Sequence, residues 1–180
     1  DGFRTDWDNH SMVTWEIGRE HQQNLYYLHG AMHIFKEENA SIQKYTWRNG
    51  NKTIGQQVKE SIENNKFPVF ISEGTQEHKL KRIKENGYLS RSFSSIKGIG
   101  GDLFVFGHSI RDEDDHVFEI VNLNKNIKKI FISLFGEINS EENKKILQKI
   151  NNWRNDYKHK GREYIFYRST SANVWKRYDN

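Results

Sequence analysis

The run Leu103-Phe104-Val105-Phe106 constrains this chain more than any other stretch. It is bounded by Gly100-Gly101-Asp102 before and Gly107-His108-Ser109 after, and it has no polar face. A strand of that kind is expected to be buried on both sides, as in a parallel sheet covered by helices. The acidic residues Asp112–Asp115 then open a helical run, Val117-Phe118-Glu119-Ile120-Val121. Buried strand, small-residue turn and helix N-terminus in succession form the place where an open α/β sheet offers free backbone N–H groups to a nucleotide, beyond the carboxyl ends of its strands.

The rest of the chain supports alternation of strands and helices from residue 53 onward. Thr53 is a plausible N-cap for a helix with Ile54, Val58 and Ile62 at helical spacing. Phe67–Ile71 reads as a strand, with Pro68 near its start where a lost N–H is tolerable. A polar helix follows from Gln76 to about Asn86 with Leu80 and Ile83 facing in, closed by Gly87 as its C′ residue. Tyr88-Leu89 and Phe93–Ile96 give a shorter helix, ended by Gly98, Gly100 and Gly101. Ile130–Phe135 is a further buried strand, Glu141 to Trp153 a helix burying Ile146, Leu147 and Ile150, Tyr164–Tyr167 the last strand and Ser171–Trp175 a terminal helical turn. Helices alternating with strands argue for a parallel sheet with right-handed crossovers.

The first part is different. Trp7, Trp15 and Ile17 are expected in an irregular loop around a short strand, Val13–Ile17. Asn24–Leu28 is an aromatic-rich strand ended by His29-Gly30, Met32–Lys36 is a second or a continuation, and Ser41–Trp47 alternates polar and apolar before the turn signal Arg48–Asn51. The expected fold class is therefore α/β: a Rossmann-like, mostly parallel sheet flanked by helices, with a small antiparallel β addition near residues 24–47. Residues 1–180 are read as a single domain, with 1–52 a β-rich insertion or lead-in segment and 53–180 the α/β core.

Composition excludes several classes of function. The chain has no cysteine, so disulfides, thiolate metal sites and Cys nucleophiles are out. No segment approaches the length of a membrane span, and no signal-peptide pattern is present. A cytoplasmic protein is expected. The formal net charge of +4 is mild, and Lys and Arg alternate with Glu and Asp, so nucleic acid is not the expected partner. No Gly-x-x-x-x-Gly-Lys loop, His-Glu-x-x-His helix or Gly-x-Ser-x-Gly elbow occurs.

Three strand-exit loops are of one kind: Ser72-Glu73-Gly74-Thr75, Gly107-His108-Ser109 and Gly136-Glu137-Ile138-Asn139. On a parallel sheet they would share one edge, where small residues admit a ligand to the backbone and hydroxyls meet phosphate or ribose oxygens. Alternatively, small residues there only permit tight turns. His29 is a candidate general base, because imidazole titrates near neutrality, or simply a hydrogen-bonded histidine at a strand end. His33 is read as structural. His108 and His116 with Asp112, Asp114 and Asp115 resemble a metal cluster in composition. Capping and the helix dipole favour such aspartates without any ion, and no metal site is assigned.

In this order, Leu25-Tyr26-Tyr27-Leu28-His29-Gly30-Ala31-Met32-His33-Ile34-Phe35, Phe70–Thr75, Tyr88-Leu89 and Val105-Phe106-Gly107-His108-Ser109-Ile110-x-Asp112-x-Asp114-x-His116 resemble a bacterial family known as domain of unknown function 4917. The resemblance runs from residue 1 to about 150. That family is similar to the sirtuin-like superfamily, which includes bacterial antiphage NAD-hydrolysing domains. The resemblance implies NAD as cofactor along the carboxyl edge of the sheet and His29 as catalytic base, with Gly30 beside it. It further implies Gly107, His108 and Ser109 on the adenosine ribose and phosphates, with Asp112 following, and Ser72, Glu73, Gly74 and Thr75 at the border of the same cleft. The superfamily's glycine-rich first turn and its Thr-x-Asn-Tyr-Asp stretch are not found, and Asp1-Gly2-Phe3 resembles the segment that follows them. The chain is thus read as the C-terminal portion of the fold and expected to be inactive alone. The expected partners are a nucleotide, the upstream part of the same polypeptide and, as a candidate, a second copy. The reading alternative to NAD hydrolysis is a non-catalytic nucleotide-sensing or protein-interaction module.

Overall fold

The computed structural model describes residues 2–4, 12–15, 23–47, 51–156 and 161–174. Trp7, Ile17, Trp175 and the Arg48–Gly50 part of the expected turn lie outside the described residues. The chain divides into two compact units, Asp1–Ser94 and Ser95–Asn180.

The first unit is built on an antiparallel sheet. Its strands are β1 (Phe3–Arg4), β2 (Met12–Trp15), β3 (Gly30–Lys36), β4 (Ile42–Tyr45) and β5 (Pro68–Phe70), in the order β1-β2-β4-β3-β5. Helix α1 (Ile54–Glu63) joins β4 to β5. It starts at Thr53 in a full capping box with Gln56, as Thr-x-x-Gln permits. Ile62 is 39% exposed, and Gln57 and Ser61 take the buried positions instead. Gln57 is tied down by the Thr46 carbonyl at 3.0 Å, and the Ser61 hydroxyl meets the Tyr45 hydroxyl at 2.5 Å. Helices α2 (Gln76–Lys84) and α3 (Gly87–Ser94) follow. Gly87 is the first residue of α3 and not a C′ glycine, because Asn86 caps the new helix by accepting from the Leu89 N–H at 3.1 Å. The core gathers Phe3, Val13, Ile34, Ile42, Ile71, Ile83, Tyr88 and Leu89. Phe3 and Trp15 contact the Tyr88 ring at centroid distances of 5.2 and 5.5 Å.

Two expectations are corrected here. Asn24–Leu28 forms no strand; the strand begins at Gly30, so His29 precedes β3 and does not end an earlier strand. The strand near Phe67–Ile71 does not join a parallel sheet. It pairs antiparallel with β3, Gly30 opposite Phe70 and Phe35 opposite Pro68. β4 and β5 do run parallel, with α1 as their crossover, but β3 lies between them in the opposite sense.

The second unit carries the parallel sheet: β6 (Gly101–Val105), β7 (Ile127–Leu134) and β8 (Glu163–Arg168), in sequential order. Helices α4 (Asp115–Leu123) and α5 (Glu141–Asn155) are the crossovers. Right-handed crossovers in sequential order put both helices on one face. The ring chain Phe118, Trp153 and Tyr164, at 5.4 and 6.3 Å, runs from α4 through α5 to β8. The other face explains why β6 is not the doubly buried strand expected: Phe104 is 63% exposed and lies stacked at 4.5 Å on Phe131 of β7. The fold class is mixed α/β, but the antiparallel sheet is the larger one, and the "mostly parallel" expectation holds only for residues 101–168. Among the described residues the last helical turn is a 3₁₀ turn at Ser169–Ala172.

Candidate functional site

Parallel strands end on the same edge, so the exits of β6, β7 and β8 converge. They line a cleft of about 650 Å³ formed by Phe106–Ser109 after β6, Phe135–Glu137 after β7, Ser169-Thr170 after β8, and the first turns of α5. Two of the three exit loops singled out in the sequence, at 107–109 and 136–139, therefore meet. The third corner is Ser169-Thr170, in place of Ser72–Thr75, which follows a strand of the antiparallel sheet.

Each corner has a local cause. Gly107 takes φ +66°, and its N–H donates to Ser133 Oγ of β7 at 3.0 Å. Gly136 takes φ +70° at the corresponding turn. Ser140 caps α5 by accepting from the Asn143 N–H at 3.3 Å, and the buried Asn143 side chain donates to the carbonyls of Phe135 and Glu137 at 2.9 and 2.8 Å. That amide closes the β7 exit onto the helix. Phe106, Phe135 and Ile146 provide apolar wall, Glu137 and Glu142 carboxylates, and none of the described lining residues is Lys or Arg.

His108 has a defined task at the rim. Its Nδ1 accepts from the Ile110 N–H at 2.8 Å, its Nε2 is 3.4 Å from Asp114 Oδ2, and its ring meets Phe118 edge-on at 5.2 Å. The neutral ring therefore carries its proton on Nε2. Ile110 is buried at 2% exposure with φ +51°, a conformation that β-branched residues avoid. Strain of this sort persists only where surroundings enforce it, and it clusters at functional sites. A groove of about 690 Å³ adjoins the cleft at Ser109, Glu142 and Ile146 and runs past Arg111, Lys145 and Lys149. Asp112 does not line the cleft. It and Asp115 each hold Lys149 Nζ at 2.6 Å. The hydrogen bond and charge of Lys149 keep the Asp112 carboxyl below the usual carboxylate range. Burial by itself would lower the Lys149 ammonium, but the two carboxylates outweigh it and the net direction is up.

The remaining candidates sit together at one end of the antiparallel sheet, because β3 starts where β5 ends. The His29 carbonyl accepts from the Ile71 N–H at 2.8 Å, and His29 is half-buried. Gly30 takes φ +75°, and a Cβ there would lie 1.8 Å from the Val69 carbonyl oxygen, so the strand crossing requires this glycine. Ser72, Glu73, Gly74 and Thr75 are exposed, and Thr75 is the N-cap of α2.

Sequence reading missed Ser133, Asn143, Ser169 and Thr170. The Ser169-Thr170-Ser171 run directly after a strand was a usable signal of the same kind as Gly107-His108-Ser109. Ser133 was visible only as a lone hydroxyl in an apolar strand, and Asn143 only as an imperfect capping-box partner.

Fold and site together define a mixed α/β protein with a ligand-sized cleft at the carboxyl edge of a parallel sheet. The family model described as Domain of unknown function (DUF4917) matches residues 1–175, and the chain belongs to that family. No curated protein and no solved structure matches the chain.

Proposed function

We propose that this chain binds a nucleotide in the cleft at the carboxyl edge of β6–β8, that the ligand is an NAD-type dinucleotide, and that the intact protein cleaves its glycosidic bond in the sirtuin-like manner. The observation that carries the binding reading is the convergence of three small-residue corners on one cleft of about 650 Å³. Apolar walls at Phe106, Phe135 and Ile146 suit a base, and the carboxylates of Glu137 and Glu142 suit ribose hydroxyls. The adjoining groove with Arg111 and Lys145 suits the diphosphate. NAD in particular, and catalysis by His29, rest on the sirtuin-like resemblance. In that chemistry the bond from C1′ to the nicotinamide nitrogen breaks, water adds its oxygen to C1′, and His29 takes the water's proton.

A second reading, a nucleotide sensor without catalysis, is favoured by one observation. The one imidazole among the described residues lining the cleft, His108, is engaged by the Ile110 N–H and so holds its own loop.

Calorimetric titration with NAD, together with chromatographic detection of nicotinamide, separates these readings. Binding with turnover that His29→Ala abolishes supports the hydrolase. Turnover unchanged in His29→Ala removes His29 from the chemistry. Binding without consumption selects the sensor, and absence of NAD binding overturns both. Strongly salt-dependent capture of duplex nucleic acid would point to a different partner class.

A further inference from the structure

We infer that Ser133 and Asn143 are the recognition pair of the cleft, and that the group they read is a neutral, planar one carrying a hydrogen-bond acceptor beside a donor. This deepens the nucleotide reading and rests on it.

Both residues line the cleft, and both are almost wholly buried, at 6% and 3% exposure. Each is half-used by the protein. Ser133 Oγ accepts from the Gly107 N–H at 3.0 Å, which fixes the oxygen. A hydroxyl has a proton of its own to donate, and among the described residues no acceptor takes it. The Asn143 amide donates to the carbonyls of Phe135 and Glu137, which fixes its plane. Its Oδ1 is an acceptor to which no described residue donates. Polar atoms of nearly buried side chains are satisfied by protein, water or ligand, and a ligand that displaces water there without replacing its bonds loses affinity. Two such groups, one donor and one acceptor, both held rigid by main-chain bonds, are what a preorganised recognition site requires.

The rest of the lining says what kind of group they meet. With Phe106 and Phe135 as walls and no Lys or Arg among the described lining residues, the cleft favours a flat, uncharged moiety over a phosphate. Acceptor beside donor occurs on the N1 and N6 edge of adenine and on a primary carboxamide such as that of nicotinamide. NAD carries both, so the two ends must be told apart by experiment.

The experiment is calorimetric titration of the full chain with adenosine against inosine, and with nicotinamide against nicotinic acid. Inosine replaces the adenine donor by an acceptor, and nicotinate replaces the carboxamide donor by a charge. One member of one pair is expected to bind at least about tenfold more weakly than its partner, and that pair identifies the end that enters. Ser133→Ala removes the donor that meets the ligand's acceptor and should weaken the better-binding member of that pair about fivefold while NAD is still bound, and Ser133→Thr, which keeps the hydroxyl, should restore its affinity. Equal affinity within both pairs in the wild type overturns the assignment even if every variant misfolds. So does unweakened binding of the better member by a folded Ser133→Ala. Failure of the wild type to bind NAD, adenosine and nicotinamide alike overturns the nucleotide reading itself.

Discussion

The Gly107 N–H donates to the Ser133 hydroxyl at 3.0 Å, so a side chain of β7 sets the turn that leaves β6. The neighbouring strand acts together with the loop's own Gly107 and His108 in setting the Gly107-His108-Ser109 corner at the cleft.

Two of the three glycines singled out as ligand contacts, Gly30 and Gly107, should respond differently to a methyl group. At Gly107 a Cβ meets nothing within 4 Å, so Gly107→Ala carries only the left-handed backbone cost, about 1–2 kcal/mol. At Gly30 it would lie 1.8 Å from the Val69 carbonyl oxygen, and the β3–β5 pairing must open. Gly30→Ala should cost about 4 kcal/mol or more. Urea unfolding of both variants checks the order. Equal losses would mean that the strand crossing is not as tight as described.

Lys149 joins the loop before α4 to α5 through Asp112 and Asp115. The carboxyl of Asp112 is held low by Lys149, so its contribution to stability is complete above the ordinary carboxylate pKa, about 3.9, and is lost as pH falls through the lowered folded value. The ammonium of Lys149 is held high. Its contribution is complete below the ordinary lysine pKa, about 10.4, and is lost as pH rises through the raised folded value. Lys149→Met should therefore flatten the acid limb of the stability profile. At neutral pH it should cost about 1–2 kcal/mol, less than a fully buried pair. Thermal melts from pH 3 to 8 measure both effects, and an unaltered acid limb would refute the assignment.

Arg162 closes the end of α4 onto the start of β7. Its guanidinium donates to the carbonyls of Val121, Asn122, Asn124 and Ile127 at 3.1, 2.9, 2.6 and 3.3 Å. The carbonyls of a last helical turn have no partner within the helix, and a planar fork can serve several at once. Lysine keeps the charge but cannot span them, so Arg162→Lys should cost about 2 kcal/mol. A loss no larger than that of an exposed Arg→Lys control, measured by denaturant unfolding, would contradict this role.

Burial raises the phenol pKa of both Tyr88 and Tyr164. Ultraviolet titration of the folded protein should show a late-ionising fraction that shrinks in Tyr88→Phe and again in Tyr164→Phe. A titration unchanged by both substitutions would count against the packing of these rings.

The sequence by itself determined the order of elements from residue 53 onward, the cap at Thr53 and the helix starts at Gln76 and Glu141. It also marked the two small-residue corners after β6 and β7. These are local properties: periodicity, capping chemistry and glycine's access to positive φ act over a few residues, and Thr53 with Gln56 is legible within four positions. Only the tertiary structure decided which sheet Pro68–Phe70 joins, because β3 slipped between two strands that a crossover helix would otherwise make neighbours. It alone brought Ser133 beside Gly107, turned Asn143 onto the β7 exit and drew Asp112 away to Lys149. Strand pairing and buried hydrogen bonds are chosen by the free energy of contacts between residues tens of positions apart. No short window of sequence contains both partners of such a choice.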